Sequence, residues 1–201
     1  MATLTEPAHW QLGEINISAR GSKSAYVQNE FKMPVLLNLT QPQESLTTPF
    51  GATTYGDDES TRKTIDFRLT PELKEYFARV DAWAVKYISE HSERLWKKKY
   101  TEAEIEGMYR PSVTQKGDYP PTVRCKINTA GARACRLWDS TRQPIADFPD
   151  LKSAELRPRV TIKSVYFMAK TCGLIIDVLD LMVKTQAPEC PFGKSDDEEM
   201  D

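Results

Sequence analysis

Apolar residues recur along this chain at two different periods. In Arg62-Lys63-Thr64-Ile65-Asp66-Phe67-Arg68-Leu69 they alternate cleanly. Ile65, Phe67 and Leu69 fall on one face, and Arg62, Thr64, Asp66 and Arg68 fall on the other. A period of two belongs to a strand with one buried face. Thr122–Asn128 alternates Val, Cys and Ile with Arg and Lys, and Ser24–Val27 and Pro34–Leu39 are shorter strand-like pieces. Arg133–Trp138 is expected to pair back on Thr122–Asn128 across Thr129-Ala130-Gly131. Arg157–Met168 predicts a long strand with basic residues at alternate early positions. Lys170–Gly173 predicts a reversal, and Leu174–Val183 a mostly buried strand.

Between these segments the period lengthens. Thr70-Pro71-Glu72 combines a hydroxyl cap, a proline at the first helical position and an acid in the first turn. Leu73, Tyr76, Phe77, Val80, Trp83, Ala84, Tyr87 and Ile88 then recur at steps of three and four, predicting one amphipathic helix to about Lys97. Thr101 and Glu104 have the spacing of a capping box, which predicts a second, short helix ending near Gly107. The fold class expected is mainly β with one long α-helix: a small curled sheet or barrel with a helix across it. Residues 1–20 read as a polar leader, 21–187 as the folded domain and 188–201 as a flexible tail.

Charge changes the picture once it is divided. The 201 residues carry 27 Lys/Arg and 29 Asp/Glu, a formal net charge of −2. Asp196, Asp197, Glu198, Glu199 and Asp201 lie in the last six residues. Without the tail from Ser195, the 27 basic residues face 24 acidic ones. Between Arg110 and Lys170 twelve Lys/Arg stand against five acids. The chain is a basic body with an acidic end, and a charged end that cannot bury surface is expected to be disordered. Such an end serves solubility as readily as recognition.

Candidate chemistry is sparse. Cys125, Cys135, Cys172 and Cys190 have no paired C-x-x-C spacing, and only His9 and His91 are available to complete a zinc site. Neither phosphate-cradling glycine motif is present. No metal, cofactor or catalytic residue is therefore assigned, and a non-enzyme is expected. A nuclease would need Asp66, Asp139 and Asp177 to converge. Asp177 and Asp180, three apart in one strand, are expected on opposite faces. No apolar run approaches the ~20 residues that span a bilayer, so no membrane association is expected. MATLTEPAHW has neither a basic start nor an apolar stretch, so no secretory signal is expected.

Three strands share one device, apolar residues on one face and cations two apart on the other: Arg62/Arg68, Arg124/Lys126 and Arg159/Lys163. On neighbouring strands these would line a positive face suited to phosphates, whose binding releases counterions. Single strands also need rings for bases to stack on. Trp138 shares parity with Arg136, and Phe167 with Arg159 and Lys163. Arg133, and Phe50 and Tyr55 in the turn-rich connector, complete the candidate set. Tyr166, in phase with Val160 and Ile162, is expected in the core. The main alternative is a structural or scaffold protein of a virus or replisome whose basic strands meet acidic protein surface.

The order Thr48-Pro49-Phe50-Gly51, Thr64–Leu69, the long helix with Trp83, and Arg159-Val160-Thr161-Ile162-Lys163 running to Gly173 resembles the single-stranded DNA-binding proteins of large eukaryotic DNA viruses. Those are similar to the acidic-tailed single-stranded DNA-binding proteins of short-tailed phages. The resemblance covers roughly residues 20–185 and the tail. It implies a five-stranded OB-fold-like barrel with a helical insertion. It also implies coating of single-stranded DNA during replication, recombination or repair. The tail (Asp196, Asp197, Glu198, Glu199, Asp201) would dock a polymerase or helicase and compete with DNA. The phage members end in an aromatic residue, whereas this chain ends Met200-Asp201. An intracellular location follows, in the nucleus or a viral replication compartment, and a homodimer is left open.

Overall fold

The computed structural model describes residues 4–5, 15–20, 24–29, 34–41, 43–54, 60–168 and 170–184. Among these, the strands before the helices are β1 (Leu4–Thr5), β2 (Ile15–Arg20), β3 (Ser24–Asn29), β4 (Val35–Asn38), β5 (Leu46–Thr47), β6 (Ala52–Thr53) and β7 (Arg62–Arg68). Helices α1 (Pro71–Trp96) and α2 (Glu102–Met108) follow. After them come β8 (Tyr109–Arg110), β9 (Val113–Thr114), β10 (Thr122–Asn128), β11 (Arg136–Trp138), β12 (Glu155–Met168) and β13 (Thr171–Val183). The fold is mainly β, with two helices. Two strands, β1 and β2, lie in the segment expected as an irregular leader. Residues 185–201, including the acidic end, lie outside the described residues.

The alternation in β7 and β10 has its expected consequence. The two strands pair antiparallel from Arg68 opposite Thr122 to Arg62 opposite Asn128, so their apolar residues share one side and their polar residues the other. β10 runs parallel to β13, with Lys126 beside Asp177. β13 forms a long antiparallel pair with β12, which takes β3, β4 and β5 along its other edge. The reversal between β12 and β13 is tighter than expected, because Thr171 already pairs with Met168. The expected β10–β11 hairpin does not form. β11 instead lies parallel to β13, Arg136 beside Asp180, while Cys135 N–H donates to the Asn128 carbonyl (2.8 Å) and Asn128 Nδ2 to the Arg133 carbonyl (3.1 Å). β10's edge is taken by β7, whose longer alternating run offers more ladder bonds than three residues of β11.

Among the described residues the strand path is open, running β1-β4-β12-β13-β10-β7-β6. Yet β5 pairs with β12 and β6 with β7, and only residues 48–51 join them. This crossing is tightly held. Gly51 sits at φ +66°, and a Cβ there would lie 2.9 Å from the Lys152 backbone nitrogen. Only glycine fits both the left-handed backbone and the close approach.

Helix α1 starts as its sequence dictates: Thr70 Oγ1 accepts from Leu73 N–H (3.3 Å), and Pro71 is the first helical residue. It ends at Lys97, in the left-handed region at φ 60°, whose N–H donates to the Glu93 carbonyl. The capping box at Thr101–Glu104 is present. Leu73, Tyr76, Phe77, Val80, Ala84 and Ile88 are buried in one core with Phe67, Cys125, Ile127, Val160, Ile162 and Val178. Area burial of these side chains, at about 25 cal/mol per Å², is the main favourable term.

One polar contact ties helix to sheet. Asp81, buried in α1, accepts from Tyr109 Oη (2.7 Å), Ser112 N (2.8 Å) and Ser112 Oγ (2.7 Å). Burial raises its pKa, and the Ser112 and Tyr109 hydrogen bonds offset part of that rise. Asp81→Ala strands the buried Tyr109 hydroxyl and is expected to cost about 2–4 kcal/mol in urea unfolding. The folded state binds the Asp81 proton more tightly than the unfolded chain does. Stability from this group is therefore fullest below the unfolded carboxylate pKa and declines as pH rises through the folded one. Asp81→Asn should remove that pH-dependent part from a series of melts.

Candidate functional site

Two β-bulges arrange the face opposite the helix. Arg159 pairs with Asp180 but Val160 pairs with Val178, so Leu179 is an extra residue in β13. A bulge inverts side-chain parity beyond it. Asp177 and Asp180 therefore share the outward face, contrary to simple alternation. The second shift lies between Ile162, opposite Ile176, and Ser164, opposite Ile175, leaving Lys163 as the extra residue in β12. Val165, rather than a residue in phase with Ile162, then points inward and is fully buried.

Asp177 and Asp180 organise most of the predicted cations. Asp177 Oδ1 accepts from Arg62 Nη2 (2.9 Å) and its Oδ2 from Lys163 Nζ (2.5 Å). Asp180 accepts from Arg136 Nε (2.7 Å), from Arg159 Nε (2.6 Å) and from the Trp138 indole N–H (3.3 Å). Arg124 holds Asp66 through two bonds of 2.8 Å, in the fork geometry that suits a carboxylate. Each of Asp177 and Asp180 is nearly buried and shared by two cations, so each cluster keeps one positive charge in excess. The arginines remain open to solvent on their other side: Arg136 is 62% exposed and Arg62 41%.

Lys126 projects between these clusters, opposite Thr64 and beside Asp177. Partial burial holds its ammonium pKa below the ordinary lysine value, and Arg62 and Arg124 add to that effect. Among the described residues no carboxylate lies within ion-pair distance of it. Arg62, Arg124, Lys126, Arg136, Trp138, Arg159 and Lys163 are thus brought together on one face of the sheet. Arg68 lies on the same face at the far end, opposite Thr122. Arg133 is exposed in the loop before β11, and its carbonyl accepts from Asn128 Nδ2. Phe50, 65% exposed, projects from the β5–β6 crossing. Tyr55 and the acidic end lie outside the described residues.

The bulge at Lys163 exchanges the two aromatic positions beyond it. Phe167, expected on the cationic face, stacks on Trp96 at 4.5 Å on the helix side and packs against the core. Tyr166, expected in the core, lies over Gly173 on the outward face. A Cβ at Gly173 would come 3.0 Å from two atoms of the Tyr166 side chain, so the glycine makes room for it. Arg157 is a further residue of this face that the candidate set lacks. It shares parity with Arg159 in β12 and lines a depression of ≈ 170 Å³ with Trp138, Asp180 and Met182. Its signal was the alternation Arg157, Arg159, Lys163 itself.

The three acids that a nuclease would need are committed elsewhere. Asp66 and Asp177 hold cations, and Asp139 caps its own turn through Thr141 and Gln143, which lower its pKa. Among the described residues no group of three metal-ligating side chains forms. No described helix is long and apolar enough to cross a membrane.

No protein-family model and no curated protein sequence matches this chain. Solved structures do. The fold is similar to the crystal structure of gp2.5, a single-stranded DNA-binding protein encoded by bacteriophage T7. The TM-score is 0.52 at 14% identity, over 84% of this chain and 96% of that one. The single-stranded DNA-binding protein from bacteriophage Enc34 aligns with TM-score 0.44 at 8% identity, over 92% of this chain and 99% of that one. The same Enc34 protein in complex with single-stranded DNA aligns with TM-score 0.43 at 7% identity, over 90% and 99%.

Asp180→Asn keeps an acceptor but removes the charge shared by Arg136 and Arg159. Both cations are partly exposed and can rehydrate, so the expected loss is about 1–2 kcal/mol in thermal unfolding, smaller at high salt. An equal loss at all salt concentrations would mean that the carboxylate acts through packing alone.

Proposed function

We propose that this chain binds single-stranded DNA along the outward face of β7, β10, β13, β12 and β11, without catalysing a reaction on it. The observation that carries this reading is the charge of that face. Arg62, Arg124, Lys126, Arg136, Arg157, Arg159 and Lys163 outnumber Asp66, Asp177 and Asp180, the carboxylates set among them. The carboxylates fix the guanidinium groups in place, which lowers the ordering cost when a phosphate arrives. The excess cations supply the counterion-release term. Trp138, Tyr166 and Phe50 offer rings beside the track. The likeness of fold to gp2.5 supports the same reading.

The sheet would act as an OB-fold-like five-stranded barrel, the β5–β6 crossing bringing the edges of β12 and β7 together. The chain would coat strands exposed in replication, recombination or repair, inside a cell, in the nucleus or a viral replication compartment. Arg68 and Arg133 would extend the track at its ends. The acidic end (Asp196, Asp197, Glu198, Glu199, Asp201) would dock replication proteins and, tethered at high local concentration, compete with DNA for the cations.

A tryptophan-fluorescence titration with short poly-dT and with its duplex counterpart, at two salt concentrations, tests the reading. Binding should favour the single strand and weaken steeply with salt. Lys126→Ala removes a cation that holds no carboxylate among the described residues, so the fold should be untouched. It should weaken binding several-fold and flatten the log–log salt slope by about 0.7, one phosphate on a single strand. Equal affinity for duplex would leave only a general affinity for polyanions, and no binding to either oligonucleotide would point to an acidic protein surface as the partner. Deleting residues 195–201 should tighten binding most at low salt, and an unchanged affinity across the titration rules out competition by the tail.

A further inference from the structure

The depression at the β11–β13–β12 end of the face differs from the rest of the track. It is concave, with Asn38, Thr40, Trp138, Arg157, Arg159, Asp180 and Met182 around ≈ 170 Å³. Its distinguishing group is Arg157. Neighbouring Arg159 and Arg136 are committed to Asp180, which also takes the Trp138 indole N–H, so that carboxylate already holds more donors than an isolated ion pair supplies. Among the described residues Arg157 has no carboxylate partner. Within that described set its Nη1 meets the Met182 sulfur, a weak acceptor, at 3.6 Å, and its Nε is buried without a hydrogen-bond partner. A buried guanidinium donor without an acceptor is costly. The local count is Arg157, Arg159 and Arg136 against Asp180, two positive charges in excess.

We propose that this depression is a dedicated pocket for one nucleotide of the bound strand, with its phosphodiester held by the Arg157 fork. This rests on the reading of the face as a single-strand track and deepens it. A phosphate presents two acceptor oxygens at the spacing of two guanidinium N–H groups, which a thioether cannot do. Asn38 and Thr40, whose side chains are able to donate hydrogen bonds, also line the depression. The Trp138 ring, its plane fixed by the bond to Asp180, and the Met182 thioether form the apolar wall on which the sugar and base rest. A depression of ≈ 170 Å³ is too small for more than one nucleotide of a strand. The pocket therefore sets where along the face a strand begins to be held.

The test is a cycle between protein and DNA. Short oligo-dT strands, each with one methylphosphonate at a different position, are titrated against the full chain and against Arg157→Ala, with thermal melts to check folding. In the unaltered chain one position should cost about tenfold or more in affinity. In Arg157→Ala that position should become indifferent while the other positions keep their effects. Arg157→Lys, which keeps the charge but not the fork, should not restore the position-specific loss. Equal losses at every position, or rescue by lysine, would overturn the pocket and leave only a general positive field. If Lys126→Ala and Arg157→Ala are both without effect on oligo-dT binding, the single-strand reading itself fails. An effect of Lys126→Ala alone removes only the pocket. Inorganic phosphate or thymidine monophosphate competing at millimolar concentration as well as the oligonucleotide would assign the site to a free anion instead.

Discussion

Asp177 and Asp180 hold the outward face together. Cations on adjacent strands repel one another, and a sheet presenting Arg62, Lys126, Arg136, Arg159 and Lys163 side by side would be unfavourable without intervening negative charge. The two carboxylates lie on the central strand of that face, where each bridges cations from two different strands. Their near-burial makes the attraction stronger than on an open surface, and the four partners repay the cost of desolvation. The repulsion is removed while a net positive charge remains. The cost of holding the face in a ligand-ready state is met in folding.

That arrangement requires the bulge at Leu179. In a regular strand one of the two carboxylates would point into the core among Val160, Val178 and Leu181. The extra residue allows β13 to keep its apolar side chains inward and both acids outward. The bulge at Lys163 acts in the same way on β12. It sends Phe167 to the helix, where Trp96 and Tyr100 receive it, and leaves Tyr166 over Gly173. Helix α1 and the sheet thus share one core on the inner side, and the outer side is free for polar work.

Much of this was legible in the sequence. The alternation in Arg62–Leu69 and Thr122–Asn128 specified both strands and which residues faced out. Thr70-Pro71 and Thr101–Glu104 marked both helix starts to the residue. These features are local, because a cap or an alternation depends on neighbours within a few positions. Arg136 and Trp138, in phase with each other, both reach Asp180, although their strand pairs with β13 rather than β10. What failed was inference by parity across long distances. Phe167 and Tyr166 exchanged places, and Asp177 and Asp180 came to one face, because parity holds only until a bulge intervenes.

The sequence by itself determined the elements, the mainly β class and the basic character of three strands, since these follow from periodicity and charge along the chain. Only the tertiary structure decided which cations are held by which carboxylates, that Arg157 has none among the described residues, and where a pocket forms among them. Those outcomes depend on strand order and on two single-residue shifts of register. Register is a balance over whole ladders, in which one extra residue inverts every side chain beyond it.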